Sequence, residues 1–224
     1  MFKHYDGDLE LVELNAETKN GKRHYITPDG GRLPSITTVL GSNPEKKKGL
    51  AEWRDKVGHK EAAKITAQAA RRGTNVHLMC EDYLNNKEDY LKKHMPSNVV
   101  MFKSIQPFLD EHVKEVYAQE CPLWSNYLGV AGRTDCIGVW DDRLAVIDFK
   151  TARKRKRTDW IQDYFQQCTA YAIMFEERTG IPVADTVIVM AVENDEPQIF
   201  EQKRDPYVKG LMQRIEEYNN ENPS

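Results

Sequence analysis

Residues 130–151 read VAGRTDCIGVWDDRLAVIDFKT, and the fold is decided by how these residues pair. Two β-rich runs, VAGRTDCIGVW and RLAVIDFKT, flank Asp141-Asp142, the arrangement of a hairpin. Alternate side chains of a strand share a face, so Asp148 and Lys150 point the same way. Counting back from the turn brings Asp135 and Asp148 near one another on adjacent strands. Two facing carboxylates repel unless a cation joins them. A hard divalent ion with oxygen ligands fits, and Mg²⁺ or Mn²⁺ would bridge the acids to a phosphate while lowering the pKa of a bound water. Lys150 is then placed to orient that water or to neutralise developing phosphoryl charge. A DxK triplet on its own is most often an acid and a base on the solvated face of an amphipathic strand, so the surroundings have to decide.

Upstream, EVYAQECPLW adds a third β-rich run, and the three together read as an antiparallel meander. Before it, residues from about Glu45 to Asn85 favour helix, with a break at Gly58 and either a stop or a new cap at Gly73-Thr74. Beyond that point His77, Cys80, Glu81 and Leu84 recur at helical spacing on one face, suited to looking into a cleft. Another helix is expected over roughly Asn98 to Val116, kinked at Pro107. His24 to Thr27 reads as a short extended segment before a Pro28-Asp29-Gly30 turn, and Pro34-Ser35 as a helix start. Downstream, Thr158 or Asp159 is read as the cap of a helix that ends at Gly180. ADTVIVMAVEN and PQIFEQ return to strand, and an amphipathic helix from about Pro206 to Tyr218 closes a mixed sheet with helices packed on it.

The chain has 224 residues, 40% of them hydrophobic, enough for one sizeable core, and shows no linker or repeat. Its net charge of -3 argues against a protein that coats nucleic acid through a general basic balance. Basic residues nevertheless cluster at Lys46 to Lys48, at Arg71 and Arg72, and in the run Arg153, Lys154, Arg155, Lys156, Arg157, a candidate local phosphate-binding strip. Cys80, Cys121, Cys136 and Cys168 stand far apart without a CxxC pair, which reads as buried reduced thiols. No run reaches the roughly 18 apolar residues of a membrane span, and MFKHYDGDLELVEL resembles neither a signal peptide nor an Arg-rich transit segment. The expectation is a soluble protein of a bacterial or phage-infected cytoplasm rather than of the mitochondrial matrix, with no membrane partner. Trp53, Trp124, Tyr127 and Trp160 offer stacking surfaces for bases, but aromatic side chains in this number are mostly needed to fill a core.

Gly132-x-x-Asp135, a hydrophobic strand closing in Asp148-Phe149-Lys150-Thr151, and a helix bearing Gln167 and Tyr171 resemble the RecB-type branch of the PD-(D/E)XK nucleases. Gly73-Thr74-Asn75-Val76-His77 matches that branch's upstream G-x-x-x-H element. PSITTVL, LAEWRDK, DFKTARKRKR and IEEYN are similar to the mitochondrial genome maintenance group of exonucleases and its phage relatives, over roughly residues 24 to 220.

The resemblance implies a restriction-endonuclease-like α/β core (mixed α+β) in a single domain over 1–224. A helical DNA-channel region over about 34–118 arches over the site, and a catalytic core follows over about 119–220. It implies that Asp135, Asp148, His77 and the Phe149 carbonyl hold Mg²⁺ or Mn²⁺, that Lys150 serves the water, and that Gln167 and Tyr171 order the site. Glu120 would support it from a neighbouring strand. Arg71, Arg72, Arg133, Thr151, Arg153, Arg155 and Arg157 are assigned to DNA contact. Iron–sulfur-containing relatives group cysteines near the C-terminus, and this chain has none after Cys168, so no cluster is expected. The implied activity is hydrolysis of DNA phosphodiesters from an end, preferring single strands, with replication or recombination proteins as the candidate partners. The alternatives are a structure-selective endonuclease and a DNA-binding accessory that no longer cuts.

Overall fold

A run such as DTVIVMAV, apolar at nearly every position, suits a strand covered on both faces, and in the computed structural model that strand lies inside a mixed sheet with helices on either side. Residues 1–223 are described; Ser224, the last residue of the expected domain, lies outside them. Among the described residues the elements are β1 (Lys3–His4), β2 (Asn15–Lys19), β3 (Lys22–Ile26), β4 (Arg32–Pro34), α1 (Ile36–Gly41), α2 (Pro44–Val57), α3 (His59–Leu84) and α4 (Pro96–His112). These are followed by β5 (Val113–Ser125), β6 (Val130–Trp140), β7 (Arg143–Ala152), α5 (Gln162–Thr179), β8 (Asp185–Val192), β9 (Gln198–Lys203) and α6 (Asp205–Glu221). None of the described helices is long and apolar enough to cross a membrane.

The main sheet runs β1-β5-β6-β7-β8-β9. β5, β6 and β7 form the antiparallel meander, turning at Asp141, which takes a left-handed φ of 57°. α5 then crosses over so that β8 lies parallel to β7. One face packs Val146, Ile137, Val130 and Ile188 against Phe165, Tyr171 and Phe175 of α5, with Leu211 and Ile215 of α6. The other packs Ile147, Phe149, Val187 and Val189 against Val76, Cys80 and Leu84 of α3 and Phe102, Ile105 and Leu109 of α4.

Several boundaries differ from those read in the sequence. α3 continues through Gly73-Thr74, because one interior glycine costs a helix only about 1 kcal/mol and this one lies beside β7, where an added Cβ would sit 3.8 Å from Thr151 Oγ1. α4 ends at His112, not Val116: the β-branched Val113 and Val116 pair with Trp140 and Gly138 of β6 instead. Pro107 lies inside α4 without ending it. Thr158 and Asp159 do not cap α5; they form a single 3-10 turn with Trp160, and α5 starts after Ile161. Gly180 closes α5 in the left-handed region (φ 71°). The small sheet β2-β3-β4 is larger than the expected segment at His24 to Thr27, and its hairpin signal was the Asn20-Gly21 turn, both residues at positive φ.

The two motif glycines have different physical roles. A Cβ at Gly132 would lie 2.6 Å from Tyr171 Cε1 and 3.1 Å from Ile36 Cγ2, all within the α5-side core, so G-x-x-D and Q-x-x-x-Y are two sides of one contact. Gly132→Ala should therefore lower the unfolding free energy by about 1–3 kcal/mol through overpacking, whereas Gly73→Ala should be neutral or stabilising by up to about 1 kcal/mol. Urea denaturation of both variants checks this; equal effects would refute the assignment.

Candidate active site

The β6–β7 ladder runs from Trp140↔Arg143 to Cys136↔Ile147 and stops. Past that point β6 stays with β5 as far as Ser125↔Val130, and β7 stays with β8 as far as Ala152↔Val192. The sheet forks, and the next facing residues in register are Asp135 and Asp148. The Phe149 N–H points into the fork, where it has lost a ladder acceptor, and Asp135 Oδ2 accepts from it at 2.9 Å. The N–H and C=O of one strand residue point the same way, so the Phe149 carbonyl also faces the opening.

Three elements bring side chains to this place. His77 of α3 sets Nδ1 3.4 Å from Asp135 Oδ2. Glu120 of β5 faces Asp135, between Gln119↔Cys136 and Cys121↔Thr134. His77, Glu120 and Asp135 each offer a ligand atom within 4.8 Å of the others, the one such group among the described residues. His77 and Glu120 line a groove of about 580 Å³ together with Arg23, Gly73, Thr74 and Glu81. Glu120 stands at φ 44° inside a strand, a left-handed conformation costing on the order of 1–3 kcal/mol for a residue with a side chain. Arg133 holds it there by donating to the Glu120 carbonyl, and Arg133 is itself held by Glu13 at 2.7 Å.

Asp148 does not join that trio. Its side chain is 1% exposed and its partner is the Lys150 ammonium at 2.5 Å; among the described residues neither carboxylate oxygen receives a well-formed hydrogen bond. Burial pushes the Asp148 carboxyl up to about 6, against the opposing pull of Lys150. Burial also disfavours charge on Lys150, but Asp148 and Asp135 outweigh it and hold the ammonium above the ordinary lysine range. Burial raises Asp135, yet His77, Lys150 and the Phe149 N–H together bring it below the usual carboxylate range. His77 is lowered by burial and, on balance, raised by Asp135; Glu120 is raised by burial and then by Asp135 and Glu81.

These residues fit a divalent cation. Asp148 Oδ2 meets only the Lys150 ammonium and the buried Oδ1 has no partner among the described residues, and the clustered carboxylate oxygens beside one imidazole suit Mg²⁺ or Mn²⁺.

The remaining assignments fall around this centre. Gln167 donates to the Tyr171 hydroxyl at 3.1 Å, and Tyr171 is buried against Gly132 with its phenol held well above its usual range by burial. Neither lines the groove. Thr151 is half-buried beside Gly73. Cys80 and Leu84, expected to share a cleft-facing stripe with His77 and Glu81, are fully buried in the α3-side core, so only the i,i+4 pair His77 and Glu81 reaches the groove. All four cysteines are buried and unbonded.

The arginines assigned to DNA are mostly engaged by acids: Arg72 and Arg153 with Glu193 at 3.3 and 3.7 Å, Arg155 with Asp195 at 3.6 Å, and Arg157 with Asp159 at 3.0 Å. Arg71 is exposed and, with Arg72, lines a separate cleft of about 1000 Å³ between α3, α4 and the β8–β9 turn. Tyr127 and Trp160 are 76% and 62% exposed, outside the core that the sequence suggested for most of the aromatic residues. Arg23 at the groove and Tyr164 under Lys150, at 5.2 Å from the ring centroid, carry no motif in the sequence.

A mixed sheet flanked by helices and forked at a cluster of carboxylates and an imidazole is the architecture that the PD-(D/E)XK resemblance implies. The chain is similar to mitochondrial genome maintenance exonuclease 1 of Xenopus tropicalis, 26% identical over 178 residues covering 75% of this chain and 50% of that protein. The Mus musculus protein is 26% identical over 225 residues, covering 90% and 66%, and the Homo sapiens protein 27% over 179 residues, covering 74% and 51%. The chain thus spans about half to two thirds of the length of these relatives. A solved structure from Eubacterium rectale with an inferred exonuclease description superposes with a TM-score of 0.45 at 15% identity, over 68% of this chain and 69% of that one. No protein-family model matches.

The raised acid of Glu120 sets a test. A carboxyl whose folded pKa is raised contributes stability below its unfolded pKa of about 4.5, lost as pH rises through the folded value. Above that window the ionised cluster is destabilising, and a cation should offset it. Mn²⁺ at about a hundredfold over its dissociation constant should add about 2.7 kcal/mol at pH 8 and little at pH 4.5. Glu120→Gln should be more stable than the parent without metal at pH 8 and respond less to Mn²⁺. Thermal melts with and without EDTA read all four values; an unchanged Mn²⁺ response in the variant would remove Glu120 from the cation site.

Proposed function

We propose that the protein is a divalent-cation-dependent exonuclease that hydrolyses DNA phosphodiester bonds, preferring single-stranded ends. One observation carries this reading: at the mouth of the forked sheet, Asp135, His77 and Glu120 converge while the Asp148–Lys150 pair stands directly behind them. The similarity to proteins named as exonucleases supports it.

His77, Asp135 and Glu120, with Asp148 and the Phe149 carbonyl at the fork, would hold Mg²⁺ or Mn²⁺. Such a cation supplies charge neutralisation at the phosphoryl group and acidifies the attacking water. The chain's own groups do the rest. Lys150 donates a proton-bearing N–H towards the water and the developing negative charge; its ammonium is kept in place by Asp148 on one side and the Tyr164 ring on the other. Water oxygen bonds to phosphorus as the opposite P–O ester bond breaks, leaving a hydroxyl on one nucleotide and a phosphate on the other. Gln167 and Tyr171 fix the strand that carries Asp135, so that positioning is set before substrate arrives.

Linear single-stranded DNA, end-labelled on either terminus, and the same sequence as a closed circle separate the possibilities. Degradation of the linear strand in Mg²⁺ or Mn²⁺, abolished by EDTA, with the circle spared, is the expected result. Cutting of the circle would make the protein an endonuclease. Lys150→Ala should cut at least about a thousandfold more slowly while still binding DNA; undiminished cleavage would reject the role given to Lys150.

A further inference from the structure

Trp160 is 62% exposed, yet it is not on a loose loop. Its turn is closed by Trp160 N–H to Arg157 carbonyl at 3.0 Å. The loop before it is gripped by Gln198, whose amide accepts from the Lys156 N–H at 2.7 Å and donates to the Lys156 carbonyl at 2.9 Å. Arg157 lies over the indole, 5.7 Å from its ring. A large apolar ring carried on an ordered turn and left in water has forgone burial, and a turn already ordered loses little freedom when something stacks on its ring.

Trp160 lines a cleft of about 440 Å³ whose wall includes Tyr164, Gln162 and Gln166. Tyr164 is the ring under the Lys150 ammonium, at 5.2 Å, so one aromatic side chain separates the cleft from the catalytic lysine. Acidic and basic side chains of the lining are equal in number, and Asp159 and Asp163 are already met by Arg157 and Lys46. A charge-balanced cleft with aromatic and amide walls is poorly suited to a phosphate and well suited to a base, which offers a π-face and a polar edge.

We infer that this cleft is a subsite for one unpaired nucleobase of the DNA strand next to the scissile phosphate, with Trp160 as its stacking platform. The inference rests on the nuclease reading and names a source of preference for single strands, since a base stacked between its neighbours inside a duplex offers neither face to Trp160.

The test is a cycle between Trp160 and the base it would hold. Fluorescently labelled single-stranded oligonucleotides, with an abasic residue at the first or second position from either end, are bound in EDTA and separately cleaved in Mn²⁺. For the parent and for Trp160→Phe, one abasic position should weaken binding and raise KM about tenfold, with kcat little changed. For Trp160→Ala the intact strand should already be weakened by about that factor, and the abasic residue should add nothing. If the abasic penalty is the same in Trp160→Ala as in the parent, or if Trp160→Ala binds the intact strand as well as the parent does, the subsite is wrong. Because binding is read without cleavage, a protein that shows the cycle but never cuts would refute the nuclease reading and leave the subsite standing. A protein that cuts without the cycle would do the reverse.

Discussion

Two aspartates in facing register make the next rung of a β-ladder costly. At the roughly 5 Å of a facing pair, two carboxylates repel by about 3 kcal/mol at an effective dielectric constant of about 20, and the pair here is enclosed by protein. The structure resolves this by ending the β6–β7 ladder at Cys136↔Ile147. Asp135 turns to the amide of Phe149 and to His77, and Asp148 turns to Lys150. The fork opens a place where strand backbone, carboxylates and an imidazole meet solvent, while both arms of the sheet remain paired to their outer neighbours.

The rest of the molecule serves that opening. α5 braces β6 through the Tyr171–Gly132 contact, and α3 brings His77 and Glu81 along a single i,i+4 row. Arg133 and Glu13 hold Glu120 in a conformation it would not otherwise adopt. Strain at Glu120, burial of Asp148 and crowding of like charges each cost stability. A cation bound at the proposed site would offset these costs, which is how such a site can be costly to build and still persist.

Much of this was legible in the chain. The period-2 pattern around Asp141-Asp142 specified the hairpin, and the spacing of Asp135, Asp148 and Lys150 followed from it. Gln167 and Tyr171 were singled out through the resemblance, and their four-residue spacing put them on one helical face, although the closeness of Tyr171 to Gly132 depends on packing that spacing does not encode. Glu120 read as a supporting residue because nothing in YAQECPLW announces a left-handed turn inside a strand. The basic run at Arg153 to Arg157 read as a phosphate-binding strip because the acids that meet Arg153 and Arg155, Glu193 and Asp195, lie on a turn roughly 40 residues later in sequence and reach them only through the parallel crossover. Gly73 misled as a helix stop because local propensity was outweighed by the packing of α3 on the sheet.

Whether the forked sheet takes up a divalent cation decides the rest. Crystals grown with Mn²⁺, with diffraction recorded at the manganese absorption edge, test it most directly. An anomalous peak is expected in the fork, within coordination distance of His77, Glu120 and Asp135 side-chain atoms and facing Asp148 and the Phe149 carbonyl. A fork without such a peak while Mn²⁺ occupies sites elsewhere, or with Asp135 still closed on His77 in its presence, would contradict it.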